Sequence, residues 1–355
     1  MALKLGLNLG YWGIGPQGEE AVEIVRAAEA AGYDSVWAAE SYGSDVVSVL
    51  AWLAPQTESI GLGAAIMQVP ARPPAAAAMA GATIDALSGG RFIFGFGPSG
   101  PQVSEGWYGV PYPKPWGRTR EYIDIVRRVI AREERLEYSG RHYTLPLSGG
   151  TGEGKPLKLN FHPVRNRIPV FVGAIVRKSV EMAAEICDGW IPIFFSVDAF
   201  QETWGEHLEA GFAKGGRQRS DLEVSPTLQV AIDGDQEAAK SVVKAGLVLY
   251  FGGMGSRKTN FYVDLAHRFG FGDVADEVQR RYQEGDKGGA YEAMPDEIVE
   301  ATSLVGTEAE VAERIERFRG AGIDRLIVSP VHVERAEQLH TLERLASLAG
   351  VDASV

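Results

Sequence analysis

The stretch that decides the fold runs from Ile60 to Gly109, IGLGAAIMQVPARPPAAAAMAGATIDALSGGRFIFGFGPSGPQVSEGWYG. It reads as a strand, an irregular bend, an alanine-rich helix, a tight glycine turn and a second strand. A glycine- and proline-rich loop holding polar and aromatic residues follows. The first apolar run, Ile60 to Met67, gives way to Gln68, Pro70, Arg72, Pro73 and Pro74, and the second, Arg91 to Phe96, to Gly97-Pro98-Ser99-Gly100-Pro101. Both strands therefore end in loops suited to unusual backbone geometry. Loops that follow parallel strands are where α/β enzymes place their chemistry.

The same rhythm extends in both directions. Upstream, Lys4–Leu9 alternates as a strand, Glu19–Ala31 has a helical period stopped by Gly32, and Ser35–Ala38 is a buried-type strand. Asp45–Leu53 is a helix with Asp45 as its N-cap candidate. Downstream, Gly117–Arg135 is a charged amphipathic helix, and strands are expected at Pro169–Gly173, Gly189–Ile193, Leu222–Ile232 and Asp324–Val328. Helices are expected at Lys178–Cys187, Asp198–Phe212, Thr307–Arg319 and Glu334–Leu348, the third opened by a capping box of Thr307 and Glu310. Two stretches break the rhythm. Residues 138–163 are rich in glycine and proline, with short β pieces at Tyr143–Leu145 and Leu157–Leu159. Residues 235–305 hold helical segments at Gln236–Tyr250, Phe261–Phe269 and Val274–Gln283 around the loop Phe251–Ser256. Eight strands, each followed by a helix, demand a parallel sheet with right-handed crossovers. The expectation is an α/β fold, a (β/α)8 TIM barrel forming a single domain over residues 1–355, with insertions after strands 4 and 7. An open doubly wound sheet is the structural competitor, and periodicity alone fits both.

Composition narrows the function. The chain has 355 residues, ordinary apolar content and no run of 18 apolar residues, so no membrane-spanning helix is expected. A net charge of −12 argues against nucleic acid or an anionic membrane as the main partner. The start, Met1-Ala2-Leu3-Lys4, shows no signal-peptide core, and the single Cys187 suits a reducing, cytoplasmic setting, where it reads as a small core residue. The six histidines show no paired spacing and no acid cluster accompanies them, so no metal is expected. No G-x-S-x-G elbow occurs. Phe94-Gly95-Phe96-Gly97 only superficially resembles a nucleotide-binding glycine loop.

In a barrel the loops after the strands converge on one face. Those loops hold Asn8, Tyr11 and Trp12, then Glu40, Ser41, Tyr42 and Asp45, then the bend Ala65–Arg72. The fourth holds Ser99, Gln102, Glu105, Trp107 and Tyr108, the fifth Gly173-Ala174-Ile175-Val176-Arg177-Lys178, and the sixth Phe194, Phe195 and Ser196. This inventory is aromatic, amide and hydroxyl, with few acids, and suits a flat organic cofactor with polar edges better than a metal. At residues 173–178 a strand runs into a helix through a small-residue turn, leaving free N–H groups beside two cations. That arrangement is either an anion site or a plain turn with two solvated cations. Read alone, Ala64–Met67 fits a buried strand running one residue longer than its neighbours.

Several segments together resemble the luciferase-like monooxygenase superfamily. They are Leu5-Gly6-Leu7-Asn8-Leu9-Gly10-Tyr11-Trp12-Gly13, Ala28-Glu29-Ala30-Ala31-Gly32-Tyr33-Asp34-Ser35-Val36-Trp37, Ile60-Gly61-Leu62-Gly63 and Leu87-Ser88-Gly89-Gly90-Arg91-Phe92. Ala184-Glu185-Ile186-Cys187-Asp188-Gly189-Trp190 matches the superfamily's A-x-x-x-D-G-W, and Val305-Gly306-Thr307 with Ala321-Gly322-Ile323-Asp324 matches its closing helix and strand. Residues 39–45, 97–109 and 252–255 resemble an actinobacterial subgroup that uses the deazaflavin coenzyme F420.

The resemblance implies a non-prolyl cis peptide at Ala65-Ile66 supporting one face of the deazaflavin, and a phosphate contact at Gly173–Lys178. Where sugar-phosphate-oxidising relatives often carry Asp-His, this chain has Glu40-Ser41, so their histidine base is missing. The implied cofactor-binding set is Asn8, Ala65, Ile66, Met67, Gly100, Gly173, Ala174, Ile175, Val176, Arg177 and Lys178. Glu40 is the first candidate to move a proton, followed by Tyr42, Glu105 and Tyr11; a carboxylate bonded to barrel-mouth backbone is the alternative for Glu40. Trp107, Tyr108, Phe194, Phe195 and Met254 form the expected substrate wall. The function expected is an F420-dependent oxidoreductase moving hydride to or from a small organic molecule, as dehydrogenase or reductase, in a homodimer. An FMN-dependent monooxygenase and a non-catalytic F420- or flavin-binding protein are the competing readings.

Overall fold

A computed structural model describes residues 3–11, 18–255 and 260–351, so Trp12, Gly13 and Ser256 lie outside the described residues. The strands are β1 (Lys4–Tyr11), β2 (Ser35–Ala39), β3 (Gly61–Ala64), β4 (Met67–Gln68), β5 (Phe92–Gly97), β6 (Tyr138–Ser139), β7 (Thr144–Leu145), β8 (Val170–Gly173), β9 (Gly189–Ile191), β10 (Glu223–Val224), β11 (Thr227–Ile232), β12 (Ser303–Gly306) and β13 (Arg325–Pro330). Parallel pairing runs β9–β8–β5–β3–β2–β1–β13–β11. Closure comes from residues 223–232. Their first half, β10, pairs with β9, and after Ser225 and Pro226 the same segment, as β11, pairs with β13. The Ile193–Thr227 bridge continues the β9 side. The ring of eight parallel positions is the expected TIM-barrel architecture, with one expected strand split by a proline.

The helices are α1 (Glu19–Ala30), α2 (Val46–Leu53), α3 (Pro74–Leu87), α4 (Pro101–Gly106), α5 (Pro115–Ala131), α6 (Arg177–Ile186), α7 (Glu206–Gly215), α8 (Gln236–Gly252), α9 (Phe261–Arg268), α10 (Gly272–Gln283), α11 (Lys287–Glu292), α12 (Asp296–Thr302), α13 (Glu308–Gly320) and α14 (Arg335–Leu348). Local chemistry sets their starts. Asp45 caps α2 by accepting from the Ser48 N–H at 2.7 Å, and Thr307 and Glu310 form the reciprocal capping box of α13. Both insertions hold structure. The first contains the β6–β7 hairpin and an antiparallel bridge from Leu136 to Leu157. The second holds α8–α12 and ends in β12, a strand unseen in the sequence that pairs with β11. No helix among the described residues is long and apolar enough to cross a membrane.

The barrel interior is filled rather than hollow. Trp37 on β2 and Phe171 on β8 lie 5.4 Å apart at its centre, with the Arg325 guanidinium over both rings. A Cβ on Gly63 would fall 2.2 Å from the Trp37 ring, and one on Gly189 2.3 Å from Phe171. The glycines of the strands therefore make space for these two rings. Cys187 is fully buried, and burial pushes its thiol up to about 12, as expected of a packing residue. A second core lies within the α8–α12 excursion, built from residues such as Val243, Leu247, Phe251, Val278, Met294 and Ile298.

Candidate functional site at the carboxyl ends of the barrel strands

The site begins where β3 fails to run straight into β4. The Ala65-Ile66 peptide between them is cis, at the position the resemblance implied. Ala65 N–H donates to the Ala38 carbonyl at 2.8 Å, and Glu40 N–H to the Ile66 carbonyl at 3.4 Å, so β2 holds both sides of the bend. The chain then pairs with β5 through Met67–Phe96 and Gln68–Gly97. Three glycines admit this path. A Cβ on Gly95 would lie 1.7 Å from the Ala64 carbonyl oxygen, one on Gly97 2.4 Å from Ile66 Cδ1, and one on Gly173 2.9 Å from Ile66 Cγ2. The glycines of Phe94-Gly95-Phe96-Gly97 thus seat the bulge. Ala65 and Ile66 remain half-buried at the mouth, whereas the Met67 side chain joins the core.

Glu40 is buried and fully engaged. Its Oε1 accepts from Gln68 N–H at 2.7 Å and its Oε2 from Val46 N–H at 3.3 Å, while Arg72 donates one nitrogen to each oxygen at 3.0 Å. Arg72 also reaches Asp45 at 2.6 Å, and its carbonyl accepts from the Tyr122 hydroxyl at 3.1 Å. Burial works against the charge on Arg72, but Glu40 and Asp45 outweigh it and raise its pKa above the ordinary value. The clamp ties the end of β2, the start of α2 and the bulge together. Gln68, 4% exposed, donates its amide to the Glu40 carbonyl at 3.2 Å, which fixes its orientation and leaves its Oε1 buried with no partner.

Residues 173–178, where an anion site is expected, lead into the first turn of α6, which opens at Val176 with no side-chain cap. Arg177 and Lys178 are exposed beside it. The excursion adds Arg268 from the end of α9, which donates to the Ile175 carbonyl at 3.3 Å. Burial and the nearby Arg177 guanidinium hold Arg268 below its ordinary pKa, despite Asp264. Two guanidiniums kept close at a helix start suit an anionic group. Trp190 and Trp204 donate to the Ala174 and Ile175 carbonyls at 2.7 and 3.2 Å and fix the turn.

A wall of rings faces the same mouth. Phe194 has a positive φ of 53°, which turns its ring towards Tyr250 at 4.9 Å and Tyr262 at 5.9 Å. Tyr11, at the end of β1, meets Tyr250 hydroxyl to hydroxyl at 3.1 Å. Tyr42 is largely exposed, and Met254, just beyond the end of α8, is half-buried. Tyr108 donates to the Ser41 carbonyl at 3.3 Å, and burial, with Glu40 next in weight, raises its pKa. One expectation is corrected, and four other expected site residues are placed as follows. Phe195 is fully buried and stacks on Trp204 at 5.6 Å, so it belongs to the core below the mouth, because the turn at Phe194 sends successive rings in opposite directions. Glu105 is exposed on α4 and accepts from Tyr112 N–H at 3.0 Å. Trp107 is 67% exposed at the outer lip. Asn8 turns its Oδ1 to Gly10 N–H at 3.0 Å and closes the end of β1, and Gly100 is the N-cap of α4.

The sequence reading missed Arg72, Gln68, Tyr250, Tyr262 and Arg268. Arg72 and Gln68 lay inside the quoted bend, where a cation and an amide among prolines were available as a signal. The other three sit in an insertion whose folding back could not be read from local pattern.

The chain matches the model of the family described as luciferase-like monooxygenase over residues 9–325. It is 47% identical over 344 residues, 96% of this chain and 99% of the other, to a Mycobacterium tuberculosis protein named "Putative coenzyme F420-dependent oxidoreductase Rv3520c". Its fold is similar to the coenzyme F420 dependent tetrahydromethanopterin reductase from Methanopyrus kandleri, with a TM-score of 0.78, 22% identity and 98% of each chain covered. It is similar also to an F420-dependent secondary alcohol dehydrogenase in complex with an F420-acetone adduct, with a TM-score of 0.77, 16% identity and 98% and 99% covered. By sequence and by architecture, this chain belongs to the luciferase-like monooxygenase family.

Proposed function

We propose that the protein is a coenzyme F420-dependent oxidoreductase that passes hydride between the deazaflavin and a small organic molecule at the barrel mouth. The observation that carries this reading is one cradle built on neighbouring strands. A half-buried backbone bulge at Ala65-Ile66 is seated on Gly97 and Gly173, and the uncapped start of α6 lies beside it with Arg177 and Arg268. The cradle fits the group: a smooth floor for a planar ring, an unpartnered buried acceptor at Gln68 Oε1, and a cationic helix start for an anionic tail. The 47% identical relative carries the same cofactor in its name.

When bound, the deazaflavin supplies a carbon that gives or takes hydride. The protein's share is placement. The bulge would support one face of the ring, the start of α6 with Arg177 and Arg268 would hold the anionic tail, and the packed rings of Phe194, Tyr250 and Tyr262 would exclude water from the substrate side. Transfer needs the two carbons held at about 3–3.5 Å. We further infer a cytoplasmic homodimer meeting through α2 and α3. Helix α2, VVSVLAWL, carries no charged side chain, and Met79 and Leu87 on α3 are exposed.

Anaerobic titration with F420 and, separately, with FMN tests the cofactor. Micromolar binding of F420 is expected; binding of FMN without binding of F420 would overturn the reading.

A further inference from the structure

Hydride delivered to a carbonyl carbon leaves negative charge on oxygen, and a proton must reach it. The acids of the mouth are poor sources. Both oxygens of Glu40 are taken by Arg72 and two backbone N–H groups, and Glu105 is exposed on α4, turned towards Tyr112. Asp45 caps α2 and pairs with Arg72. Of the histidines, buried His332 faces Glu337 at 3.3 Å, and His267 pairs with Asp276 at 3.1 Å on the outside of the excursion.

What the mouth does hold is a pair of phenols from opposite origins. Tyr11 ends β1, and Tyr250 lies near the end of α8 in the excursion; their hydroxyl oxygens are 3.1 Å apart. Tyr11 is level with Ala39, the residue before Glu40, whose N–H holds the Ile66 carbonyl. Tyr11 thus ends the strand next to β2, the strand whose backbone holds the bulge, so the phenol pair and the bulge share one end of the barrel. In a bonded pair of phenols one hydroxyl hydrogen lies between the oxygens, and the other is free to donate elsewhere. Tyr250 is fixed by Tyr262 at 4.8 Å and Phe194 at 4.9 Å, and Asn260 grips its carbonyl at 3.2 Å.

Building on the F420 reading above, we propose that Tyr11 and Tyr250 act as one proton-donating unit and that the substrate is a carbonyl compound, or the alcohol it becomes. In the reductive direction hydride from the reduced deazaflavin bonds to the carbonyl carbon, and the C=O π pair moves onto oxygen. That oxygen takes the free phenolic hydrogen. The substrate gains two electrons, the cofactor loses two, and the phenolate is stabilised by its partner's hydroxyl until solvent restores the proton. In the oxidative direction these steps reverse: the pair first loses one proton to solvent, and the phenolate so formed takes the hydroxyl proton of the alcohol as hydride leaves its carbon. Burial holds both phenols above their ordinary pKa, so each is protonated at neutral pH.

Tyr11→Phe and Tyr250→Phe keep the rings and remove the hydroxyls. F420 affinity is read by fluorescence titration, hydride transfer by single-turnover oxidation of reduced F420 with 2-cyclohexen-1-one and acetone, and dead-end binding by calorimetry of 2-cyclohexen-1-one with the oxidised complex. We expect F420 affinity within twofold of wild type, transfer slowed at least tenfold in each variant, and dead-end affinity weakened at least fivefold. The double variant should be no slower than the slower single one, as befits one unit. Transfer within twofold of wild type in both variants overturns the proposal alone. So does a wild-type protein that binds F420 yet reduces neither probe. A wild-type protein that does not bind F420 overturns the cofactor reading, and this proposal with it.

Discussion

Glu40 shows how a residue can be found for one reason and matter for another. Its position at the end of the second strand was legible from the strand period, and its place in the site followed from the barrel. Its bonds to barrel-mouth backbone were one of the two readings the sequence offered; its ion pair was not legible, because the partner, Arg72, lies 32 residues away across a bend. With one nitrogen on each oxygen and two backbone donors besides, the carboxylate anchors the bulge. Breaking a buried ion pair from one side costs about 3–5 kcal/mol. Glu40→Gln should therefore lower the unfolding free energy by about 3 kcal/mol and weaken F420 binding along with it, measured by denaturant melts and fluorescence titration. A variant of wild-type stability that binds F420 normally but fails in turnover would return the proton role to Glu40. The aromatic residues divide in the same way. Phe194 and Phe195 are adjacent and alike in sequence, yet a positive φ at Phe194 sends one ring to the mouth and leaves the other in the core.

At the level of elements, helices and strands were readable to within a few residues wherever a period ran uninterrupted, as at Pro74–Leu87. The failures share a cause. Strand β12 is four residues long and follows directly on α12, and α4 is a six-residue helix inside a loop, too short for a period to register. The bulge is a case of tertiary steric fit. Nothing local to Gly97 says why it is glycine; Ile66 on the neighbouring strand does. Gly97→Ala should cost about 1–3 kcal/mol through overpacking, seen as a lower melting temperature. Adding Ile66→Val, which removes the Cδ1 atom 2.4 Å from the new methyl position, should restore most of the loss. If the double variant melts no higher than Gly97→Ala alone, Ile66 is not what the glycine accommodates.

Across the whole molecule, the A-x-x-x-D-G-W segment that carries much of the family likeness is a structural joint. Asp188 accepts from Val170 N–H at 2.9 Å and Arg127 at 3.1 Å and pairs with Arg167; Gly189 clears space for Phe171; Trp190 donates to Ala174 at 2.7 Å. Burial disfavours the Asp188 charge, but the Val170 N–H and both arginines prevail and hold its carboxyl below the usual 3.8. A carboxylate with a depressed folded pKa adds stability above its unfolded pKa and loses it as pH falls through the folded value. Asp188→Asn should thus be about 1–3 kcal/mol less stable than wild type at pH 7. The gap should narrow only as pH falls below 3.8, followed by denaturant melts across pH. A gap that is constant with pH would mean the charge contributes nothing.

The reach of α9 carries a last consequence. This helix of eight residues holds Tyr262 in its first turn, against the phenol wall, and Arg268 in its last, against the turn at Ile175. Six residues of helix separate them by about 9 Å, and a helix that short moves as a rod. Whatever fastens Arg268 at one end steadies Tyr262, and through it Tyr250, at the other. One short helix thus ties the turn that opens α6 to the ring wall at the end of β1.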